Sequence, residues 1–271
     1  MKLSVTSWSF PACTLGECQG IARAIGIRHL DLGLLHGAAF DRARVVADPL
    51  GAAQDGRSLG ISAANLYWLF GPDPETHAVS DAAALDRNLR ELDEVARFAE
   101  ALKIPTLFVL PGMSRPGRSR AGLLQESAAS LREMLPVTRA RGVTLTVEPH
   151  VGSCLASPAE TLALLDAVPG LRLTLDYAHF ACMGFAQDAI DALAPHAAHV
   201  HLRQARPGAL QAKWGEGTLD IGRMIGTLRE AGYDGFLAVE YVHQAYMNTL
   251  FDDVLTETIR MRDLARAYGV E

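Results

Sequence analysis

The sequence has little from which to build a disulfide framework, a membrane span or a nucleic-acid surface. Its four cysteines, Cys13, Cys18, Cys154 and Cys182, form no CxxC pair and no regular spacing, a usage that suits reduced thiols in the cytoplasm. No segment approaches the roughly 20 uninterrupted apolar residues that a bilayer span requires. The opening MKLSVTSWSF runs straight into an alternating strand pattern, without the charged region and apolar stretch of an export signal, so the expected location is cytoplasmic. Basic residues are in deficit, 25 Lys and Arg against 31 Asp and Glu, giving a formal charge of −6 and a pI near 5.8. That balance argues against nucleic acid as a partner and favours small-molecule chemistry. The glycine spacings of a P-loop or a dinucleotide fingerprint are also missing.

What the chain does have is a rhythm. Over 271 residues, 49% of them hydrophobic and 21% charged, short apolar runs alternate with longer stretches of helical periodicity, the pattern of βα units around a parallel sheet. Strands are expected at Leu3–Trp8, Arg28–Leu32, Ile61–Tyr67, Thr106–Leu110, Thr144–Glu148, Arg172–Asp176, His199–Leu202 and Leu237–Glu240. Helices are expected over Ala83–Leu102, Leu123–Arg141, Pro158–Val168, Ile221–Ala231 and Val254–Tyr268. Gly142 and Gly232 close helices, and Ser157-Pro158 opens one. Between Ala38 and Gly60, Pro49 and several glycines interrupt the helical pattern. Eight strand–helix units predict an α/β fold, a single (β/α)8 TIM barrel with residues 1–271 as one domain, whose chemistry collects at the carboxyl ends of the strands.

The later strands read VTLTVEPH, LRLTLDYAH, HVHLRQ and FLAVEY. Each apolar run ends on, or passes through, a metal-ligand type: Glu148, Asp176, His201 and Glu240. Singly, a strand-end glutamate can be one half of an ion pair and an interior histidine a hydrogen-bonded core group. At four matching barrel positions they predict one divalent ion in a hard, mostly oxygen site, Mn²⁺ favoured, with Mg²⁺, Co²⁺ or Zn²⁺ also compatible.

The series Glu148-Pro149-His150, Asp176-Tyr177-Ala178-His179, His199-Val200-His201-Leu202-Arg203, Gly215-Glu216-Gly217-Thr218-Leu219-Asp220 and Val239-Glu240 resembles the xylose-isomerase-like sugar phosphate isomerase/epimerase superfamily. The resemblance implies a TIM barrel with Glu148, Asp176, His201 and Glu240 as metal ligands on strands five to eight. It also implies substrate or metal contact at His179, a carbohydrate substrate, and an option of homo-oligomers. The chain departs from the family where relatives often carry Lys-Asp, having Arg203-Gln204 instead, and it lacks a clean match for an arginine near Arg206 and Pro207.

By that resemblance the expected function is metal-dependent isomerisation or epimerisation of a small sugar, keto-sugar or hydroxy acid through an enediolate, with Glu148 and Glu240 moving the proton. His179 and Arg203 are the expected substrate-binding residues. The nearest alternative is a lyase, dehydratase or decarboxylase acting on a keto-sugar acid. A non-catalytic sugar-binding barrel and an endonuclease IV-like repair enzyme rank below it, the latter because it needs more ligands and a basic surface. Around the site, Trp8, Asn65 and Tyr67 are candidate pocket walls, His150 and His243 candidate mouth residues, and Trp214, beside Lys213 and Glu216, a candidate cover. The loop from Pro111 to Arg120 offers Arg115, Arg118 and Arg120 either as an anion clamp or as solvated charge.

Overall fold

A computed structural model describes residues 1–33, 40–70 and 79–271. Eight parallel strands close into a barrel in sequence order: β1 Lys2–Thr6, β2 His29–Leu32, β3 Ala63–Tyr67, β4 Thr106–Val109, β5 Thr144–Val147, β6 Arg172–Asp176, β7 Ala197–Leu202 and β8 Phe236–Val239. β1 pairs with β8 from Lys2↔Phe236 to Val5↔Val239, which completes the ring. The helices are α1 Leu15–Ala24, α2 Arg42–Ala47, α3 Pro49–Ser58, α4 Leu85–Leu102, α5 Arg120–Arg139, α6 Pro158–Ala167, α7 Tyr177–Cys182, α8 Gln187–Asp191, α9 Ile221–Glu230 and α10 Val254–Ala267.

The period of two in each strand divides its residues between two environments. Leu30 and Leu32, Leu66, Leu107 and Val109, Leu173 and Leu175, and Val200 and Leu202 join the aliphatic core that the helices cover. Each such leucine contributes about 1.5–3 kcal/mol by burial. The residues between them are largely polar and equally buried, among them Asp31, Asn65, Thr106, Thr146, Thr174 and His199. These inward groups meet one another between neighbouring strands. Thr106 Oγ1 donates to Asn65 Oδ1 at 2.8 Å, and the Thr146 and Thr174 hydroxyls lie 2.8 Å apart.

Element boundaries differ from the sequence reading for local reasons. β1 stops at Thr6, because Ser7–Ser9 turns into a 3-10 helix that lifts Trp8 above the strand. β5 and β8 formally end one residue before their glutamates, yet Glu148 N donates to Val109 O and Glu240 N to Leu202 O, carrying the ladder to both. Of the stretch from Ala38 to Gly60, residues 38 and 39 lie outside the described residues. The remainder forms two helices, since Pro49 has no N–H to continue α2 and starts α3, with Asp48 Oδ1 accepting from Gly51 N at 3.0 Å. Gly142, at φ 69°, reverses the chain after α5.

The GEGTLD motif has a role in this frame. Asp220 caps α9 by accepting from Arg223 N at 2.9 Å, while its main chain is held from both sides by Gln187. Replacing Asp220 by alanine leaves a first-turn N–H without its partner, and we expect a loss of about 1 kcal/mol. Urea unfolding checks this: a midpoint equal to that of the wild type would remove the cap from the account of this motif.

Candidate metal centre

The strands bring Glu148, Asp176, His201 and Glu240 together. One ligand atom from each lies within 4.8 Å of the others, and all four residues are buried. Pairing across β6 and β7 sets Asp176 directly opposite His201. His201 Nδ1 faces the carboxylates, 2.7 Å from Glu148 Oε1 and 3.1 Å from Glu240 Oε2. Arg203, two residues on and so on the same inward face, places Nη2 2.6 Å from Asp176 Oδ2 and 3.4 Å from Glu240 Oε2.

Three buried carboxylates around two cations titrate unequally. Burial pushes the Glu148 carboxyl up to about 7, even against the opposing pull of His201. Burial acts the same way on Glu240, but Arg203 and His201 together outweigh it and bring that carboxyl to about 2. Asp176 is raised by burial, in spite of Arg203. His201 resists burial and stays protonated well above its ordinary range, because Glu240 and Glu148 flank it.

These groups fit a divalent cation. Glu240 Oε1 accepts the Trp8 indole N–H at 2.8 Å, whereas its buried Oε2 makes no well-aligned hydrogen bond and faces His201 Nδ1 at 3.1 Å and Arg203 Nη2 at 3.4 Å. A cation shared with Glu148, Asp176 and His201 would give that oxygen a direct partner. Three oxygens and one imidazole form a hard donor set.

His179 sits on α7, whose first turn forms because Asp176 Oδ1 accepts from Ala178 N at 2.8 Å. Val151 N–H donates to His179 Nδ1 at 3.0 Å, so the neutral ring carries its proton on Nε2. Burial, with His150 and Arg203 adding to it, holds the ring neutral. Nε2–H is therefore a donor, 3.5 Å from Asp176 Oδ2 and 3.9 Å from Glu148 Oε2. Its 3.3 Å approach to Arg203 Nη2 brings two donors face to face. A second trio, Glu148, His150 and His179, also lies within ligand distance, but neither His179 nitrogen has a lone pair to spare.

A cavity of about 540 Å³ opens onto the centre, lined by Trp8, Tyr67, Phe108, Met113, Glu148, His150, Val151, His179, Arg203, Glu240, Val242, Gln244 and Tyr246. Trp8, Tyr67 and His150 thus stand where the strand-end reading put them. Asn65 lies deeper, bonded to Thr106 and Asp31. His243 is half-buried away from the cavity lining, and Trp214 is exposed outside it. In the loop after β4, Arg118 pairs with Glu126 and Arg120 with Glu160 on the surface. Met113 is the residue of that loop that reaches the cavity, held by a bridge to Ser153. On the opposite rim, Gln211 pairs its amide with the main chain of Val242, Nε2 to O at 3.1 Å and N to Oε1 at 2.8 Å, which ties the loop after β7 to the loop after β8.

Sequence reasoning missed Asp31, Phe108, Met113, Gln244 and Tyr246, and it left His199 without a role. The signal for Asp31 was available: a carboxylate inside the apolar strand HLDL has to meet a partner.

Fold and centre together define a (β/α)8 barrel with an acidic, histidine-containing cluster at the carboxyl ends of its later strands. The chain belongs to the xylose isomerase-like TIM barrel family, whose model matches residues 21–261. Among solved structures it is similar to an L-ribulose 3-epimerase, with 19% identity, a TM-score of 0.75, and 99% of this chain and 94% of that one covered. A 3-keto-D-glucoside 4-epimerase from E. coli shares 15% identity at a TM-score of 0.74, covering 98% and 99%. IOLI protein, solved with a zinc atom, shares 14% at 0.76 with both chains covered in full. No curated protein matches the chain.

Gly33 provides a test of how tightly the centre is built. A Cβ there would lie 2.2 Å from Trp8 Cε3, so Gly33→Ala must displace the indole that donates to Glu240. We expect a destabilisation of about 1–3 kcal/mol, read from the urea midpoint. Unchanged stability would mean that Trp8 is loosely held.

Proposed function

We propose that residues 1–271 form one catalytic domain, a divalent-metal-dependent epimerase or isomerase of a small sugar, keto-sugar or hydroxy acid. The observation that carries this reading is the arrangement of Glu148 and Glu240. Both line the cavity beside His201: Glu240 has Oε1 anchored by the Trp8 indole N–H, and Glu148 has Oε1 2.7 Å from His201 Nδ1, the pair of atoms a shared ion would bridge. Each has a second oxygen for other work. The solved epimerases of the same fold support the reading.

Glu148, Asp176, His201 and Glu240 would hold the ion, which supplies Lewis acidity toward a carbonyl oxygen and the adjacent hydroxyl when bound. Mn²⁺ is the favoured ion, with Mg²⁺, Co²⁺ and Zn²⁺ compatible. One glutamate, as carboxylate, takes the proton from the carbon beside the carbonyl, leaving an enediolate, and the other, starting as the carboxylic acid, delivers its own proton to the opposite face, both being reset by exchange with solvent. His179 presents Nε2–H to a substrate oxygen. It acts as a neutral donor, because its other nitrogen is occupied by Val151. Arg203 steadies Asp176 and places a fixed cation at the floor of the cavity. The apolar walls, Trp8, Phe108 and Val242, limit water around the reacting carbon.

Arg203 also favours a second reading, a lyase, dehydratase or decarboxylase on a keto-sugar acid, since a buried guanidinium suits a substrate carboxylate. Incubation with keto-sugar and sugar-acid panels, following epimer ratio, dehydration and CO₂ release, separates the two.

Metal analysis should find one divalent ion per chain, with Asp176→Asn and His201→Ala each lowering its retention by an order of magnitude or more. Equal retention in both variants would remove the centre. At saturating metal, Glu148→Gln and Glu240→Gln should each suppress turnover by roughly 10²-fold or more, because an amide cannot accept the proton. In solvent-deuterium exchange, loss of one glutamate should spare exchange from one face while abolishing inversion. Normal inversion in both variants would exclude this pair as the proton carriers.

A further inference from the structure

Below the four candidate ligands, the barrel interior holds a second buried cluster that the proposed chemistry does not use. Asp31, on β2, reaches across the barrel to β7. Its Oδ2 lies 2.6 Å from His199 Nε2 and 3.5 Å from His201 Nε2. Its Oδ1 accepts the Ser4 hydroxyl at 2.7 Å. Asn65 points Nδ2 at Oδ2, 3.4 Å away, because its own oxygen is taken by Thr106. Ser4 and Asn65 donate to Asp31, and two imidazole nitrogens face the same carboxylate.

His201 is thus shared between two sets of acids. Nδ1 faces Glu148 and Glu240, and Nε2 faces Asp31. Trp8 and Phe108 meet the ring edge-on, with centroids 6.0 and 5.2 Å away. A neutral imidazole that offers Nδ1 as a lone pair must carry its proton on Nε2, and a buried N–H needs an acceptor. His201 Nε2 makes no hydrogen bond among the described residues, and Asp31 Oδ2, 3.5 Å away, is the carboxylate beside it. A ligating histidine whose second nitrogen is held by a carboxylate is fixed in tautomer and in direction.

We infer that Asp31 is a positioning residue for His201, accepting Nε2–H from across the barrel so that the Nδ1 lone pair faces Glu148, Asp176 and Glu240. Ser4 and Asn65 hold Asp31 in turn, and His199 packs its imidazole against the same oxygen. The inference rests on the proposed metal centre, and it assigns the HLDL carboxylate and the first histidine of HVH to the support of that centre.

The test uses the full chain with Zn²⁺ as the probe, in wild type, Asp31→Asn, Ser4→Ala and Asp176→Asn. Competition titration should show zinc affinity falling about 10–100-fold in Asp31→Asn and by less in Ser4→Ala, with circular dichroism of the metal-free proteins unchanged. Nitrogen-15 spectra of histidine-labelled, zinc-loaded wild type should show His201 protonated at Nε2 and metal-bound through Nδ1. Affinity within twofold of wild type in Asp31→Asn, alongside a clear loss in Asp176→Asn, overturns the positioning role and leaves the metal centre standing. Failure of the wild type to bind zinc sinks the centre, and this inference with it. A stoichiometry of two, with the second ion lost in Asp31→Asn, makes Asp31 a ligand and overturns the inference. Should Asp31→Asn fail to fold, the wild-type spectrum still decides, since a proton on Nδ1 and zinc on Nε2 contradicts the assignment.

Discussion

Three carboxylates gathered at one end of a closed barrel repel one another, and the arrangement around them answers that repulsion. Two unit charges 4 Å apart interact by about 4 kcal/mol at an effective dielectric near 20, so Glu148, Asp176 and Glu240 cannot all stay ionised without nearby positive charge. His201 and Arg203 supply it from β7, and a bound cation would add to it. The unequal titration of the two glutamates follows from where those cations lie. Arg203 reaches Glu240 and Asp176, whereas Glu148 depends chiefly on the imidazole.

The same constraint extends down the barrel. Placing acids at the top of inward-facing columns works best when the columns beneath them are polar and satisfied. Ser4, Asn65 and Thr106 form a connected series that ends on Asp31, and Thr146 and Thr174 form another pair. Stability is left to the outward face of each strand, where leucine and valine pack against the helices. The strand period therefore separates the two tasks, with apolar residues building the fold and the residues between them building the site.

This separation explains what could be read from the chain. The eight strands were legible because each carries an aliphatic face, and Glu148, Asp176, His201 and Glu240 stood out because each interrupts or ends such a run. The order of the barrel followed from their sequence. Asp31 was harder: a single aspartate in a four-residue strand has no local signal for a partner about 170 residues away across the barrel. The tautomer of His179 depends on a backbone N–H in a neighbouring loop, which no side-chain pattern encodes. The arginines after β4 stood open between an anion clamp and solvated charge because position along the chain says nothing of Glu126 and Glu160, which meet two of them on the surface. Pro49 was read as an interruption, and what it interrupts proved to be one helix becoming two.

The Gln211 amide gives the rim of the cavity a shared history. By mimicking a strand partner for Val242 it makes the loop after β7 and the loop after β8 one piece of structure, although the ten residues of helix α9 and a strand of the barrel wall separate them in sequence. Barrels of this kind diversify by exchanging loops. Here an exchange of one loop would strip the other of its backbone partner, so a graft intended to alter which molecules enter past Gln244 and Tyr246 has to carry both loops across together.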